Sequence, residues 1–256
     1  EMQRSLVGSE MCIRDSLPTI HQETFTLGAS YRHYNGRHVQ SLILSHNYLN
    51  NRNLKYRNND DSSEDNLTLR LRSTEQKTTL RFENQTRLGA WTLKEGAELN
   101  NSIYTNHSRQ RLYGSHSSTL SIYETSLNIF GWGAFFSSNY TTTDKRLALS
   151  AGIRMDGNTY NRKMRQLWKQ FSPRLSASYK LSEQWTLSGS TGLYHQLPPY
   201  TALGYKDNEG QYLNKNLKYM QVFESSLGVD WHLQDRFMVS ACLLYTSPSP
   251  RDYAAS

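Results

Sequence analysis

The feature that most limits what this chain can fold into is a strict period of two. Over residues 146–156, Leu147, Leu149, Ala151, Ile153 and Met155 fall on one side. Arg146, Ala148, Ser150, Gly152, Arg154 and Asp156 fall on the other. In an extended strand successive side chains point to opposite faces, so such a segment has one apolar and one polar face. The pattern recurs. Leu175, Ala177, Tyr179 and Leu181 alternate with Arg174, Ser176, Ser178 and Lys180, and Trp185, Leu187, Gly189, Thr191 and Leu193 alternate with Thr186 through Tyr194. Phe223, Leu227, Val229, Trp231 and Leu233 oppose Glu224, Ser226, Gly228, Asp230 and His232. Upstream, Trp91, Leu93, Ala97, Leu99 and Ile103 oppose Thr92, Lys94, Glu98, Asn100 and Ser102, and Phe25, Leu27, Ala29 and Tyr31 show the same rhythm. No comparable helical period occurs, so the chain is expected to be all-β.

Connection lengths add a second constraint. Short polar turns are expected near 34–37, where Asn35-Gly36 is a hairpin dipeptide, and near 87–90, 142–145, 182–184 and 234–236. Between them lie long polar stretches at 50–64, 105–118, 157–170 and 196–218. Short and long alternate without a break if 65–86 is one strand, whose change of phase near residues 73–77 suggests a bulge. Short turns on one side and long loops on the other is the pattern of a transmembrane barrel. The expected architecture is an antiparallel meander of about ten strands, the last ending at Ala241, forming an open partial segment of a large transmembrane β-barrel.

The two ends read differently. A DNA string beginning GAG ATG CAG CGT AGT CTC GTG GGC encodes residues 1–16, and its reverse complement, read one base in, encodes residues 242–256 residue for residue. Residues 1–16 and 242–256 are therefore expected to be translated sequencing adapter, leaving 17–241 as the barrel segment. Both cysteines, Cys12 and Cys242, fall in those ends. Their exclusion removes disulfides, thiolate zinc sites and cysteine nucleophiles together. The ends carry a net −1, so the formal +7 of the whole becomes +8 for the segment.

Composition fits one apolar face and one wet face. Hydrophobic residues are 36% and aromatics 12%, with 17 Tyr, which is neither an ordinary globular core nor a disordered chain. No run approaches the roughly 18–20 apolar residues of a spanning helix. A secreted β-sandwich shares much of this profile, but the polar faces weigh against it. Arg154, Asp156, Arg174, Lys180, Glu224 and Asp230 would be costly in a packed core and can pair or hydrate in a wide lumen. Trp91, Tyr140, Trp185 and Phe237 cluster near the short turns, as an interfacial girdle would. Lys and Arg are scattered without a stripe, which argues against nucleic acid; anionic lipopolysaccharide suits that charge better.

Residues 133–157, GAFFSSNYTTTDKRLALSAGIRMDG, and 171–204, FSPRLSASYKLSEQWTLSGSTGLYHQLPPYTALG, resemble the barrel of TonB-dependent outer-membrane receptors. Gly152, Arg154 and Asp156 match a Gly-x-Arg-x-Asp strand end. Phe171, Ser172, Pro173 and Arg174 match a Ser-Pro-Arg strand opening. Residues 214–233 resemble the following Asn-x-x-Leu strand. The resemblance implies a Gram-negative outer-membrane protein with a plug domain inside a barrel of about 22 strands. It implies energised import of a scarce nutrient such as an iron chelate, cobalamin or a glycan, driven by the TonB complex through an N-terminal box. The plug, the box and the final strand are expected to lie outside this chain.

Candidate ligand contacts are few. Arg154 and Asp156 share a face and should point into the lumen, where a structural charge ladder is favoured over ligand contact. His195 and Tyr200 flank a Pro-Pro bend at a strand-to-loop junction, read first as a solvated loop and second as a ligand-contacting one. Tyr205, Tyr212 and Tyr219 in or beside that loop could stack on an aromatic or sugar ligand. His21 with Glu23 and His232 with Asp230 each lack a second histidine, so neither metal nor cofactor is expected. Sequons at Asn66, Asn84, Asn106 and Asn139 are chance matches in an Asn/Thr-rich chain. The alternatives are an outer-membrane barrel enzyme, a porin, or a secreted β-sandwich adhesin. His195 has no nucleophile beside it in sequence, and no enzyme is expected.

Overall fold

Each alternating segment is one strand, and each strand pairs with the next. The computed structural model describes residues 18–113, 118–207, 209–233 and 237–248. The strands are β1 (Thr19–Asn35), β2 (His38–Tyr56), β3 (Leu67–Leu88), β4 (Trp91–Tyr113), β5 (Ser118–Thr141), β6 (Leu147–Asn158), β7 (Ser172–Lys180), β8 (Trp185–Gln196), β9 (Met220–Leu233) and β10 (Phe237–Pro248). They form one antiparallel 10-stranded sheet in sequence order, so β1 and β10 remain edges and the sheet is open. A four-residue helix, α1 (Tyr200–Leu203), lies between β8 and β9.

The register carries the apolar face across the whole sheet. Tyr31, Leu42, Phe82, Ala97, Ala134 and Met155 are successive cross-strand partners. So are Leu88, Trp91, Tyr140, Leu149, Ala177, Gly189, Leu227 and Leu243. These side chains are not sealed between layers. Leu27 is 70% exposed, Leu175 58% and Leu227 59%. A single sheet with its leucines bare excludes the sandwich, and an exposed apolar surface this broad requires an apolar solvent.

The short turns have defined chemistry. Asn35 pairs with His38, so Gly36 and Arg37 are the central residues, not Asn35 and Gly36. Only the first of the two has positive φ (Gly36, +57°), as a type II′ turn requires. Gly89, at φ +60°, does the same between β3 and β4. Between β5 and β6 Asp144 accepts from the Thr142 hydroxyl at 2.5 Å and the Arg146 amide at 3.1 Å, which holds its carboxyl below the usual range. The expected turn at 234–236 lies outside the described residues.

Four expectations are corrected. There is no bulge at residues 73–77: pairing there is unbroken, and β3 shifts register only beside Lys55 and Tyr56. The apparent change of phase has another cause. Leu80 and Phe82 are apolar on the outer face, whereas higher on the strand Leu69 and Leu71 are apolar on the inner face. Above the lipid the outer face meets water and the inner face becomes the dry one. The stretch 105–118 is mostly strand, and 50–64 is strand as far as Tyr56, because β2 runs to Tyr56, β4 to Tyr113 and β5 starts at Ser118. The loop after His195 is packed against the wall at Leu203 while its other side is exposed, as described below. Finally, the last strand does not stop at Ala241: Cys242–Pro248 continue the pairing opposite Val222–Gly228, with Leu243 and Tyr245 in the outer rows. Leu-Leu-Tyr-Thr is good strand sequence and β9 offers a free edge. Residues 1–16, and the tail beyond Pro248, lie outside the described residues.

Strand lengths divide the sheet in two. β3, β4 and β5 have 22, 23 and 24 residues, while β6, β7 and β8 have 12, 9 and 12. A membrane crossing needs about 9–11 residues. The long strands therefore stand well above the lipid as a wall, and the loops leaving the short strands fold against its inner face.

Candidate functional site

On the inner face the charges form a checkerboard. One cross-strand row reads Arg81, Glu98, Gly133, Asp156, and the next reads Glu83, Gly96, Phe135, Arg154. Arg154 binds Asp156 in fork geometry, Nη2 to Oδ1 at 2.7 Å and Nε to Oδ2 at 2.8 Å. Its Nη2 also lies 3.8 Å from Glu98, whose other oxygen is 3.8 Å from Arg81. Arg81 reaches Glu83 at 3.4 Å, and Lys94 closes on Glu83 at 2.9 Å. The ladder thus spans β3 to β6, and Arg154 and Asp156 are its end.

Two glycines make this reach possible. A Cβ on Gly133 would lie 2.5 Å from Asp156 Oδ1 and 3.3 Å from Arg154 Nη2. A Cβ on Gly96 would lie 2.5 Å from the Phe135 ring, which covers it and carries the Arg81 guanidinium 4.6 Å above its centre. Sequence alone gave Arg154 and Asp156 but not Glu98, Arg81, Glu83 or Lys94 as their partners, because cross-strand register decides who meets whom.

Above the ladder two loops roof part of the inner face. Residues 159–171 and 197–219 are tied to each other: the Tyr160 hydroxyl is shared between the Leu203 and Asn214 carbonyls at 2.8 and 3.0 Å. Asn161 Nδ2 donates to the Lys215 and Leu217 carbonyls at 3.0 and 2.7 Å. They are also tied to the wall. Tyr123 donates to the Gly204 carbonyl and Tyr212 to the Ser126 carbonyl, both at 2.6 Å, while Asn158 Nδ2 donates to Tyr219 at 2.9 Å. Met164 and Leu203, both 0% exposed, pack on Tyr104, Leu127 and Ile129 of the wall. Burying each stabilises the fold-over by about 2–3 kcal/mol. Tyr200 stacks on Tyr104 with centroids 5.7 Å apart. Burial pushes the Tyr160 and Tyr200 phenols up, and Tyr219 up to about 12.

Between roof and ladder lies a cavity of about 240 Å³, lined by Glu98, Arg154, Asp156, His195, Tyr200 and Tyr219. Five of the expected residues, Arg154, Asp156, His195, Tyr200 and Tyr219, therefore meet at one place. Tyr205 and Tyr212 do not: Tyr205 sits 6.3 Å from the Tyr123 ring and is 52% exposed, and Tyr212 lies under Lys206 at the free upper edge of β5. His195 gains a neighbour invisible in sequence, with Nδ1 2.9 Å from Ser172 Oγ. Ser172 is 2% exposed and its hydroxyl also lies 3.2 Å from the Gln170 carbonyl, so this pair fixes a strand end and offers no accessible nucleophile. Among the described residues no group of three or more His, Cys, Asp or Glu could hold a metal ion.

A family model described as "TonB dependent receptor-like, beta-barrel" matches residues 14–246. Among solved structures, the pyoverdine outer-membrane receptor FpvA of Pseudomonas aeruginosa PAO1, bound to pyoverdine, superposes with a TM-score of 0.66 at 16% identity, covering 90% of this chain and 37% of that one. The siderophore receptor PiuA of Acinetobacter baumannii gives 0.60 at 12% identity, covering 88% and 40%. The copper transporter OprC gives 0.60 at 13%, covering 91% and 40%. This chain spans well under half the length of these structures. No curated protein sequence matches it.

Proposed function

We propose, from the premise that this chain belongs to the TonB-dependent receptor-like β-barrel family of the Gram-negative outer membrane, that it is the wall and part of the mouth of a receptor importing a scarce nutrient chelate. The family comprises receptors and transporters, not enzymes, so the buried Ser172–His195 contact is structural. The observation that carries the reading is the roof. Two loops fold into the lumen and lock to each other and to the wall, leaving polar groups and tyrosines facing inward. A receptor that must hold ligand above a gate has a use for such a fold-over.

In this reading Arg154 and Asp156 brace the wall, since their hydrogen-bonding capacity is largely used within the ladder. Tyr205, the most exposed of the candidate tyrosines, is the side chain available to a ligand, while Tyr200 and Tyr212 hold the loops. A plug inside the barrel and the TonB complex acting on it would gate passage. The partners' chemistry is supported by the names of the structural neighbours, which include pyoverdine, siderophore and copper proteins. Residues 1–16 and 242–256 are read as adapter translation on the strength of their complementary coding strands.

The test uses the intact receptor that contains this segment, expressed in a strain lacking its own chelate receptors. Growth on ferric siderophores as sole iron source should require both the receptor and the energy-coupling complex. Uptake that persists without the coupling complex would overturn the reading in favour of a passive pore.

A further inference from the structure

The inner face of the wall holds one carboxylate that the ladder does not use. Glu75 of β3 stands between Leu49 of β2 and Tyr104 of β4 in one cross-strand row. By the alternation of β3 it shares the inner face with Ser73 and Lys77. Above Glu83 and Glu98, it is the single carboxylate on the inner faces of β1 to β5 among the described residues. It is half-buried, and among those residues no hydrogen bond or opposite charge offsets that burial. Lys77, two residues on, lines the cavity below with Glu98 and Asp156 instead. A carboxylate taken partly out of water with no donor is costly to the fold.

Its surroundings define what would meet it. Leu49 offers an apolar flank on one side. On the other, Tyr104 is covered by the Tyr200 ring with centroids 5.7 Å apart, so Glu75 lies at the edge of the roof. Its charge reaches both phenols. One row up, Asn51, Ser73 and Asn106 are successive partners. Asn106 spends its Nδ2 on the Tyr104 hydroxyl at 3.0 Å, and its buried Oδ1 has no donor among the described residues. Asn53 Oδ1, a further row up opposite Leu71, is buried without a donor as well. Acceptors without donors thus gather on one stretch of the inner wall. A hard metal ion would want about six to eight oxygen ligands, and the described residues hold no group of three or more His, Cys, Asp or Glu fit for one. An organic cation needs less: one carboxylate for its charge, an acceptor for a second N–H, and apolar surface for its stem.

We propose that Glu75 receives the cationic arm of the imported chelate, an ammonium or guanidinium at the end of an aliphatic stem. The carboxylate takes the charge, Leu49 covers the stem, and Asn106 Oδ1 accepts a second N–H. A charge-assisted hydrogen bond made beside the roof, partly out of water, is worth more than an exposed ion pair. The inference rests on the receptor reading proposed above and narrows its substrate class to chelates that carry a positive organic group.

The intact receptor in detergent is titrated with ferrioxamine B, a ferric hydroxamate chelate ending in a primary ammonium, and binding is read by tryptophan quenching. Its N-acetyl derivative, which is neutral, and its N-succinyl derivative, which is anionic, are titrated in parallel. The ammonium form should bind about tenfold or more tighter than the N-acetyl form, and the N-succinyl form weakest. Glu75→Gln should bind the N-acetyl form as the parent does, which shows that it is folded, and should lose the preference among the three. Glu75→Lys should favour the N-succinyl form. Equal binding of the three by the parent, binding of none of them, or a preference that survives in Glu75→Gln would each overturn the proposal. If growth on ferric siderophores still requires the receptor and the coupling complex in any of those cases, the receptor reading stands and only this site has failed. If growth requires neither, both have failed.

Discussion

Alanine at Gly133 and alanine at Gly152 are the same change on the same inner face, yet they should behave oppositely. At Gly152 the new methyl group meets Phe136 O and Ser137 Cβ at 3.5 Å, ordinary contact. Removing a strand glycine there should stabilise by about 0.5–1 kcal/mol. At Gly133 the methyl group would sit 2.5 Å from Asp156 Oδ1, so the carboxylate must swing away from Arg154. A charge-assisted pair is worth about 1.5–3 kcal/mol when dry. The two side chains are 28% and 19% exposed, and lumen water screens them, which lowers the loss to about 1–2 kcal/mol. The same glycine-to-alanine entropy gain applies to both variants, so the difference between them should be about 1–2 kcal/mol. Guanidinium unfolding of the intact receptor in detergent, followed by tryptophan fluorescence, measures it. In an Asp156→Ala background most of the Gly133→Ala cost should vanish, because the atom that clashes is gone. If Gly133→Ala and Gly152→Ala prove equal, or the cost survives without Asp156, the ladder as described is wrong.

Three further outcomes follow from the loops and turns. Tyr160→Phe removes the hydroxyl shared by two carbonyls and should cost about 1 kcal/mol, with hydrogen exchange rising in residues 159–171 and 197–219 together; unchanged exchange in either would contradict the lock. Tyr219, whose phenol is pushed up to about 12, should stabilise its loop fully below the unfolded value of about 10. That stability should fade as pH rises from about 10 to 12, read as a late phenolate absorbance absent in Tyr219→Phe. Gly89→Ala, at φ +60°, should cost about 1 kcal/mol while Gly89→Asn costs less, measured by the same unfolding assay.

What sequence made legible was whatever depends on period two within one strand. Leu147 to Met155 on one face, and Arg154 with Asp156 on the other, needed no partner strand to be read. What it could not show depends on register and on where lipid ends. The polar stretches at 50–64 and 105–118 look like loops because strands above the membrane lose their apolar outer face, although Arg52, Arg72 and His107 pair as regularly as any leucine. The inner core was hidden for a related reason. Tyr104, Leu127 and Ile129 are scattered in sequence relative to Met164 and Leu203, and only the fold-over of two polar-looking loops brings them together. Asn158, Tyr160 and Asn161 were the available signal, a cluster of side chains suited to bonding backbone carbonyls.

The most direct test is a single-cysteine nitroxide scan of positions 147–156 in the intact receptor in bilayers, with all other cysteines removed. Collision with lipid-soluble oxygen should peak at 147, 149, 151, 153 and 155, and collision with a water-soluble nickel chelate at 148, 150, 152, 154 and 156. Nickel accessibility at the odd positions matching that at the even ones, or the two periodicities exchanged, would mean that the apolar face does not border the membrane.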